Sequence, residues 1–136
     1  VDVGRTELQI RILSADFGVE RMFSAAQTHE RRRNLRVIDE FKRVDVLYID
    51  DLFKTGQNPD GTAPRPTSAD INLAFEIINH RYCKKDLITV ISSEMQMADL
   101  IDIDEATGGR ICEKAVTLNI AKDRSRNYRT KNAMTI

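Results

Sequence analysis

Two short and almost continuously apolar stretches stand out in the pattern of hydrophobic and polar positions along the chain. Residues 46–50 (VLYID) and 87–92 (LITVIS) are rich in β-branched and aromatic side chains, which is typical of strands buried on both faces. Residues 116–120 (VTLNI) have the same character, and residues 8–13 (LQIRIL) alternate between apolar and polar. The pattern therefore predicts strands at these positions.

A helical repeat separates the first two of these strands. Apolar side chains recur there at steps of three and four residues: Ile71, Phe75, Ile78 and Tyr82. This spacing predicts an amphipathic helix, which Thr67 or Ser68 can cap while Asp70 suits the positive N-terminal end. Strands that alternate with helices predict an α/β fold with a parallel sheet covered by helices.

Three other regions complete the predicted layout. Residues 19–44 contain enough helix formers for one long helix or two shorter ones, and part of residues 99–113 is also predicted to be helical. The Gly108–Gly109 pair predicts a break in that second region near Gly108. Residues 54–66 (KTGQNPDGTAPRP) contain five glycines and prolines, which predicts a mobile, exposed loop without strand or helix.

Composition limits the classes of protein that fit. The 136 residues are 41% hydrophobic and 31% charged, which fits one soluble domain with a core of its own. The 21 basic and 21 acidic residues cancel, so the molecule as a whole lacks the positive field that attracts nucleic acid or membranes. No apolar run reaches the ~20 residues of a membrane span, and the first residues lack signal-peptide features. We therefore expect a cytoplasmic protein without membrane contact.

The few cysteines and histidines do not indicate a metal site. Cys83 and Cys112 have neither the number nor the spacing of a zinc site or a disulfide framework. We interpret them as reduced structural thiols. His29 and His80 have no partner at ligand spacing and are interpreted as surface or helix residues.

Two carboxylates, Asp50 and Asp51, follow directly on the first buried strand. Charges there are costly unless something neutralises them, and ligands of open parallel sheets bind beyond the carboxyl ends of the strands. Nucleotide-hydrolysing proteins hold the magnesium of MgATP with an acidic residue at such a strand end. On this hypothesis Asp50 assists magnesium through its waters, and Asp51 orients or deprotonates the attacking water. The alternative is a solvated strand end at which one aspartate caps the following turn.

The next strand also ends in polar residues, Ser92, Ser93 and Glu94, and Arg110 follows two glycines further along. With these features the sequence resembles an AAA+ ATPase of the DnaC/DnaI type, the bacterial and phage helicase loaders. VDVLYIDDLFK (44–54) resembles the Walker B motif and LITVISSE (87–94) the sensor 1 strand. LIDIDEATGGRI (100–111) resembles the arginine-finger region. LNIAKDRSRNYR (118–129) resembles the last strand and basic end of this branch, which lacks a helical lid.

The resemblance covers residues 40–129, whereas residues 1–39 match the family poorly. It implies a single partial AAA+ domain over residues 1–136, with ATP and Mg as cofactors. Its implied partners are a replicative ring helicase, single-stranded DNA and further copies of the chain. Ser92 or Ser93 would contact the γ-phosphate or its water, and Arg110 would act as a finger in trans on the nucleotide of a neighbouring subunit. The alternative for Arg110 is that it caps helix carbonyls or pairs with Asp104 or Glu105.

Two departures from the family pattern affect this interpretation. Many family members have Asn where this chain has Glu94, and no G-x-x-x-x-G-K-[ST] phosphate loop occurs in the sequence. We interpret the missing loop as truncation. The strand that leads to it lies in the family between the sensor 1 strand and the final strand, so a gap is expected unless residues 7–13 fill a place. The alternative function is a degenerate, non-hydrolysing interaction module that binds protein or DNA.

Two basic stretches are candidates for contacts with DNA. Residues 29–36 (HERRRNLR) have no interleaved aromatic and are interpreted as a solvated helix face. The stronger candidate is the basic tail, in which four cations surround one aromatic ring that could stack on a base: Lys122, Arg124, Arg126, Tyr128 and Arg129. A plain solvated tail is the alternative.

Overall fold

The structure, a computed structural model, describes residues 9–14, 28–121 and 123. Three strands and four helices lie in these residues. In chain order they are β1 (Ile10–Ser14), α1 (Thr28–Arg43), β2 (Val46–Asp50), α2 (Ser68–Tyr82), β3 (Ile88–Ile91), α3 (Met97–Ile103) and α4 (Glu105–Lys114). The alternation of strands and helices confirms the α/β class, and no helix of the described residues is long and apolar enough to cross a membrane.

The three strands form a parallel sheet in the order β1-β2-β3. Val46 at the start of β2 is in register with Ile10 on one side and Ile88 on the other. The predicted strand at 46–50 is confirmed, and the strands predicted at 8–13 and 87–92 are each displaced or shortened by one or two residues. β1 pairs with β2 on the side away from β3. It therefore does not fill the gap that is expected at the outer edge of β3.

The helix α2 forms where its apolar repeat predicts it. Thr67 and Asp70 make a capping box at its start: the Asp70 amide donates to Thr67 Oγ1 at 3.2 Å, and the Thr67 amide donates to Asp70 Oδ2 at 3.0 Å. These bonds satisfy two amides that a helix start otherwise leaves unpaired. α2 contributes three side chains to a core that also includes side chains of β2, the turn after it and the other three helices: Ile38, Phe41, Leu47, Ile49, Leu52, Phe53, Leu73, Ile77, Ile78, Leu100 and Ile111.

The buried Arg81, near the end of α2, ties several elements together. Its side chain donates to the carbonyls of Phe41 at 3.0 Å and Val44 at 2.8 Å, which lie at and just after the end of α1. It also donates to Ile88 O at 2.7 Å and to Thr89 Oγ1 at 2.8 Å in β3. Burial lowers the pKa of Arg81, because it removes water from the charged guanidinium. The carbonyl and hydroxyl oxygens around the guanidinium accept its hydrogen bonds in place of water. The apolar pattern of α2 gave no indication of this role.

The predicted helix break at Gly108 is wrong. The chain breaks at Asp104 instead, where Asp104 Oδ2 accepts a hydrogen bond from the Thr107 amide at 2.9 Å and so caps α4. Gly108 lies inside α4 against α3, and a Cβ added to it would lie 2.7 Å from Ile101 Cα. This glycine therefore permits a close approach of two backbones and does not end a helix.

The strand predicted at 116–120 is also absent from the structure. These residues follow α4 without regular structure, and Val116, Leu118 and Ile120 are 93%, 85% and 80% exposed. A strand requires a neighbour for its backbone hydrogen bonds. No described residue supplies one here, and β3 has no partner on its outer edge among the described residues.

The segment 54–66 contains no strand or helix, as predicted. It is nevertheless held at several points. The Asn58 amide donates to Thr62 O at 2.7 Å, and Arg65 Nη2 donates to Asp102 O at 2.7 Å at the end of α3. The mobility of this segment stays a prediction.

Candidate functional site

The carboxyl ends of β2 and β3 meet at one edge of the sheet, and a hydrogen bond joins them. Asp50 Oδ1 accepts from Ser92 Oγ at 2.8 Å, and the Ser92 amide donates to Ile49 O at 2.9 Å. The predicted placement of Asp50 beside the polar tip of the next strand is therefore confirmed. Since parallel strands end at the same edge, strand order alone produces this meeting.

Tyr48 completes the surroundings of Asp50 and was not identified from the sequence. Its hydroxyl lies 3.0 Å from Asp50 Oδ1 and 3.2 Å from Ser92 Oγ. The hydrogen bond from Ser92, followed by that from Tyr48, lowers the pKa of Asp50, so its carboxylate stays charged at neutral pH. The signal was present in the sequence, because residues two apart on a strand point to the same face.

Asp51 lies in a turn that the end of β3 holds in place. Its amide donates to Ser92 Oγ at 3.0 Å, and the Leu52 amide donates to Ser92 O at 2.8 Å. Ser93 is also at this edge, where its hydroxyl donates to Leu52 O at 3.0 Å and accepts from the Met95 amide at 3.1 Å. The structure thus brings the four predicted residues Asp50, Asp51, Ser92 and Ser93 together.

The side chain of Asp51 is paired with Lys54, a residue that sequence reasoning missed. Lys54 Nζ lies 3.0 Å from Asp51 Oδ2 and 3.3 Å from Glu94 Oε1. Asp51, and then Glu94, raises the pKa of Lys54, so the ammonium is the charged form at neutral pH. The three-residue spacing between Asp51 and Lys54 is visible in the sequence, but it indicates an ion pair only once the intervening turn is known.

Arg110 lies within α4 and not after the end of a helix, because the break predicted near Gly108 does not occur. Arg110 Nε donates to Asn79 Oδ1 at 2.8 Å, and Nη1 donates to Ala106 O at 2.7 Å. Its guanidinium carbon lies 5.0 Å from the centre of the Phe75 ring and 5.7 Å from that of Tyr82. These partners belong to α2 and α4, away from the strand ends that carry Asp50 and Ser92.

A cavity of about 160 Å³ adjoins the strand edge on the side of α2. Its polar lining includes Asp50, Asp51, Lys54 and Asp70, and its apolar walls come from both β2 and α2. The cavity therefore combines apolar walls with residues of the candidate site. Such a combination of apolar walls and a few polar groups is typical of ligand sites.

The donors at this edge fit magnesium better than a softer metal. Carboxylate and hydroxyl oxygens are hard ligands, and magnesium is commonly held by one or two carboxylates together with waters and substrate phosphates. Among the described residues, no group of three or more His, Cys, Asp or Glu side chains is placed to hold a metal ion. A cation at Asp50 would therefore take most of its ligands from water or substrate.

The remaining predicted site residues belong to the basic tail. Lys122, Arg124, Arg126, Tyr128 and Arg129 lie outside the described residues, so their proposed contact with DNA stays a prediction. Cys83 and Cys112 are free and exposed, which agrees with reduced thiols but not with a buried structural role.

Two proteins of Bacillus subtilis (strain 168) are similar to part of this chain. It is 39% identical over 74 residues to "Uncharacterized protein YqaM" and 38% identical over 76 residues to "Phage-like element PBSX protein XkdC". The matches cover 54% and 56% of this chain but 22% and 27% of the relatives. The chain thus corresponds to about a quarter of each relative's length. No family model matches the chain, and no solved structure matches it.

Proposed function

We propose that this chain is part of the ATPase domain of a cytoplasmic helicase loader of the DnaC/DnaI type, which uses ATP to deliver a replicative ring helicase to single-stranded DNA. The observation that carries the proposal is the edge where Asp50 and Asp51 follow β2 beside Ser92 and Ser93 of β3. A buried parallel strand that ends in carboxylates next to a polar strand tip is the arrangement expected of a MgATP site in P-loop ATPases.

The strand order and one relative support the same proposal. The outer edge of β3 has no partner among the described residues, and Ile88 and Val90, on the sheet face of Val46 and Tyr48, are 57% and 49% exposed. The family places the strand of the phosphate loop next to this edge, so a longer protein could supply it. The printed name of XkdC assigns that protein to a phage-like element, which agrees with a phage replication protein, whereas the name of YqaM carries no function.

Each residue of the edge has a role in this proposal. Asp50 would hold magnesium, partly through water, and magnesium when bound would neutralise charge on the phosphates of ATP. Asp51 would orient the attacking water. Ser92 already binds the Asp50 carboxylate and the Asp51 amide, so it fixes the relative position of the two aspartates. Ser93 would be the hydroxyl available to the γ-phosphate or its water after it releases Leu52 O.

Oligomer formation through Arg110 is a further part of the proposal. To act in trans, the guanidinium would have to exchange Asn79 and the two aromatic rings for a phosphate on a neighbouring subunit. The test mixes full-length Arg110→Ala protein with full-length Asp50→Asn protein, since some mixed interfaces would hold both intact groups. Partial recovery of hydrolysis is expected, and no recovery in demonstrated mixed oligomers would contradict the role.

The principal experiment uses the full-length protein that the gene encodes. Asp51→Asn should leave ATP binding intact and slow hydrolysis by about 10² to 10⁴, because a positioned base or water-orienting group contributes that much. Asp60→Asn is the matched control, since Asp60 is an exposed aspartate of the 54–66 segment. Unchanged turnover in Asp51→Asn would exclude the proposed role.

The interaction module remains a second candidate because the exposed apolar side chains Val116, Leu118 and Ile120 accompany a sequence without a phosphate loop. The gene sequence upstream of this chain discriminates between the two. A Gly-Lys-[Ser/Thr] loop there would exclude the degenerate module. A full-length protein that lacks the loop and fails to bind ATP, yet captures helicase or DNA, would favour it.

A further inference from the structure

The turn after β2 carries backbone strain. Asp51 and Phe53 have φ angles of 56° and 60°, a left-handed conformation that is uncommon for non-glycine residues and costly for a bulky one such as phenylalanine. The turn brings Lys54 back to Asp51, because the Lys54 amide donates to Asp51 O at 2.9 Å. Strain of this kind persists where surrounding structure imposes it, and it is concentrated at functional sites.

The Lys54 ammonium connects the two strand ends. It lies 3.0 Å from Asp51, in the turn after β2, and 3.3 Å from Glu94, just after β3. The side chains of Lys54 and Glu94 are 45% and 69% exposed. Exposed ion pairs contribute little to stability, because water and salt screen them. The ion pairs therefore do not account for the strained turn.

The two neighbouring aspartates receive different partners. Neutral hydroxyls of Tyr48 and Ser92 donate to Asp50, whereas an ammonium pairs with Asp51. The positive charge of Lys54 also helps to lower the pKa of Asp50, after the hydrogen bonds from Ser92 and Tyr48. A cation that approaches Asp50 therefore meets one fixed positive charge close by.

We propose that Lys54 is a positioning residue that serves as a built-in counter-ion: it holds the Asp51 carboxylate toward Glu94 and lowers the affinity of the Asp50 edge for a divalent cation. The inference rests on the proposed function, in which that cation is magnesium. A free cation would then bind weakly. A cation that arrives with a triphosphate would bind better, because phosphate oxygens can satisfy the ammonium. Glu94, which departs from the family pattern, is the second ion-pair partner of Lys54.

The test measures binding of Mn²⁺, a paramagnetic substitute for Mg²⁺, to this chain by NMR line broadening of the Asp51 and Ser92 amides. Removal of the charge in Lys54→Met should tighten Mn²⁺ binding roughly tenfold, because the positive charge that repels the cation is lost. Lys54→Arg keeps the charge and should bind as the unaltered chain does. Lys42→Met is the matched control, because Lys42 pairs with Glu76 elsewhere and its loss should change little.

The possible results distinguish a failure of the role of Lys54 from a failure of the proposed metal site. Equal Mn²⁺ affinity in Lys54→Met and the unaltered chain, with broadening still at this edge and removed by Asp50→Asn, would overturn the role of Lys54 and leave the metal site standing. Tighter binding in both Lys54→Met and Lys54→Arg would also overturn it, since charge would not be the cause. No broadening at this edge in any variant would overturn the proposed metal site together with the inference. Denaturant unfolding of each variant confirms that it is folded.

Discussion

β2 and β3 are adjacent strands of one sheet with similar apolar sequences, yet their side chains have very different surroundings. In β2, Leu47 and Ile49 are 0% and 4% exposed on the sheet face that packs against the helices, whereas Ile88 and Val90 in β3 are 57% and 49% exposed on the opposite face, in register with Val46 and Tyr48. β2 is paired on both sides, and β3 is paired with β2 alone among the described residues. Sequence determines the tendency to form a strand, whereas burial depends on the neighbours that are present.

The largest effect is expected at Arg81, which joins the end of α1 near β2 to the start of β3. Arg81→Met removes the donors to the carbonyls of Phe41, Val44 and Ile88. A buried acceptor left without a donor costs about 1–3 kcal/mol, so the free energy of unfolding should fall by more than about 3 kcal/mol. Arg81→Lys should restore only part of it, because a lysine lacks the planar fork. Denaturant unfolding measures both, and equal stability of Arg81→Met and the unaltered chain would contradict the buried network.

The comparison of the two strands is tested directly by one truncation in each. Leu47→Ala should cost about 2–5 kcal/mol of unfolding free energy, because it leaves a cavity in the core. Val90→Ala should cost less than about 1 kcal/mol, since its side chain is half exposed. A similar loss in both variants would show that something covers β3 in solution. Repeating the pair in the full-length protein should raise the cost of Val90→Ala if a further segment of that protein covers this face of β3.

Periodicity predicted the central parts of this fold and failed at its periphery. The strand 46–50 and the helix from Thr67 could be predicted because a short run of β-branched and aromatic side chains and a capping box leave local signals. The position of Asp50 beside Ser92 followed from parallel strand order. The partners Tyr48 and Lys54 were missed because they depend on a turn whose conformation no local pattern specifies. The 116–120 prediction failed because a strand also requires a neighbour.

The glycine pair in α4 shows whether α3 and α4, which follow β3 in the chain, are as tightly packed as the core around β2. Gly108→Ala would place a Cβ 2.7 Å from Ile101 Cα and 2.8 Å from Leu100 C, both backbone atoms. Overpacking of this kind costs about 1–3 kcal/mol. Gly109→Ala is the matched control: no atom lies within 4 Å of its added Cβ, and alanine should stabilise the helix by about 0.5–1 kcal/mol. Equal effects on the unfolding midpoint would exclude the close contact of α3 and α4.

The smallest effect concerns pH and lies at His80 of α2, which is close to cations of α1. Burial, and then Lys42, Lys84, Arg43 and Arg81, lowers the pKa of His80 from 6.5. The unfolded chain therefore takes up a proton at higher pH than the folded chain does. The stability that His80 contributes should be fully present well above pH 6.5, fall as the pH drops through 6.5, and level off below the folded pKa. His80→Gln should flatten this part of the pH profile, as measured by urea unfolding, while Lys42→Met should raise the His80 pKa measured by NMR. A folded His80 pKa at or above 6.5 would contradict the effects of burial and of these cations.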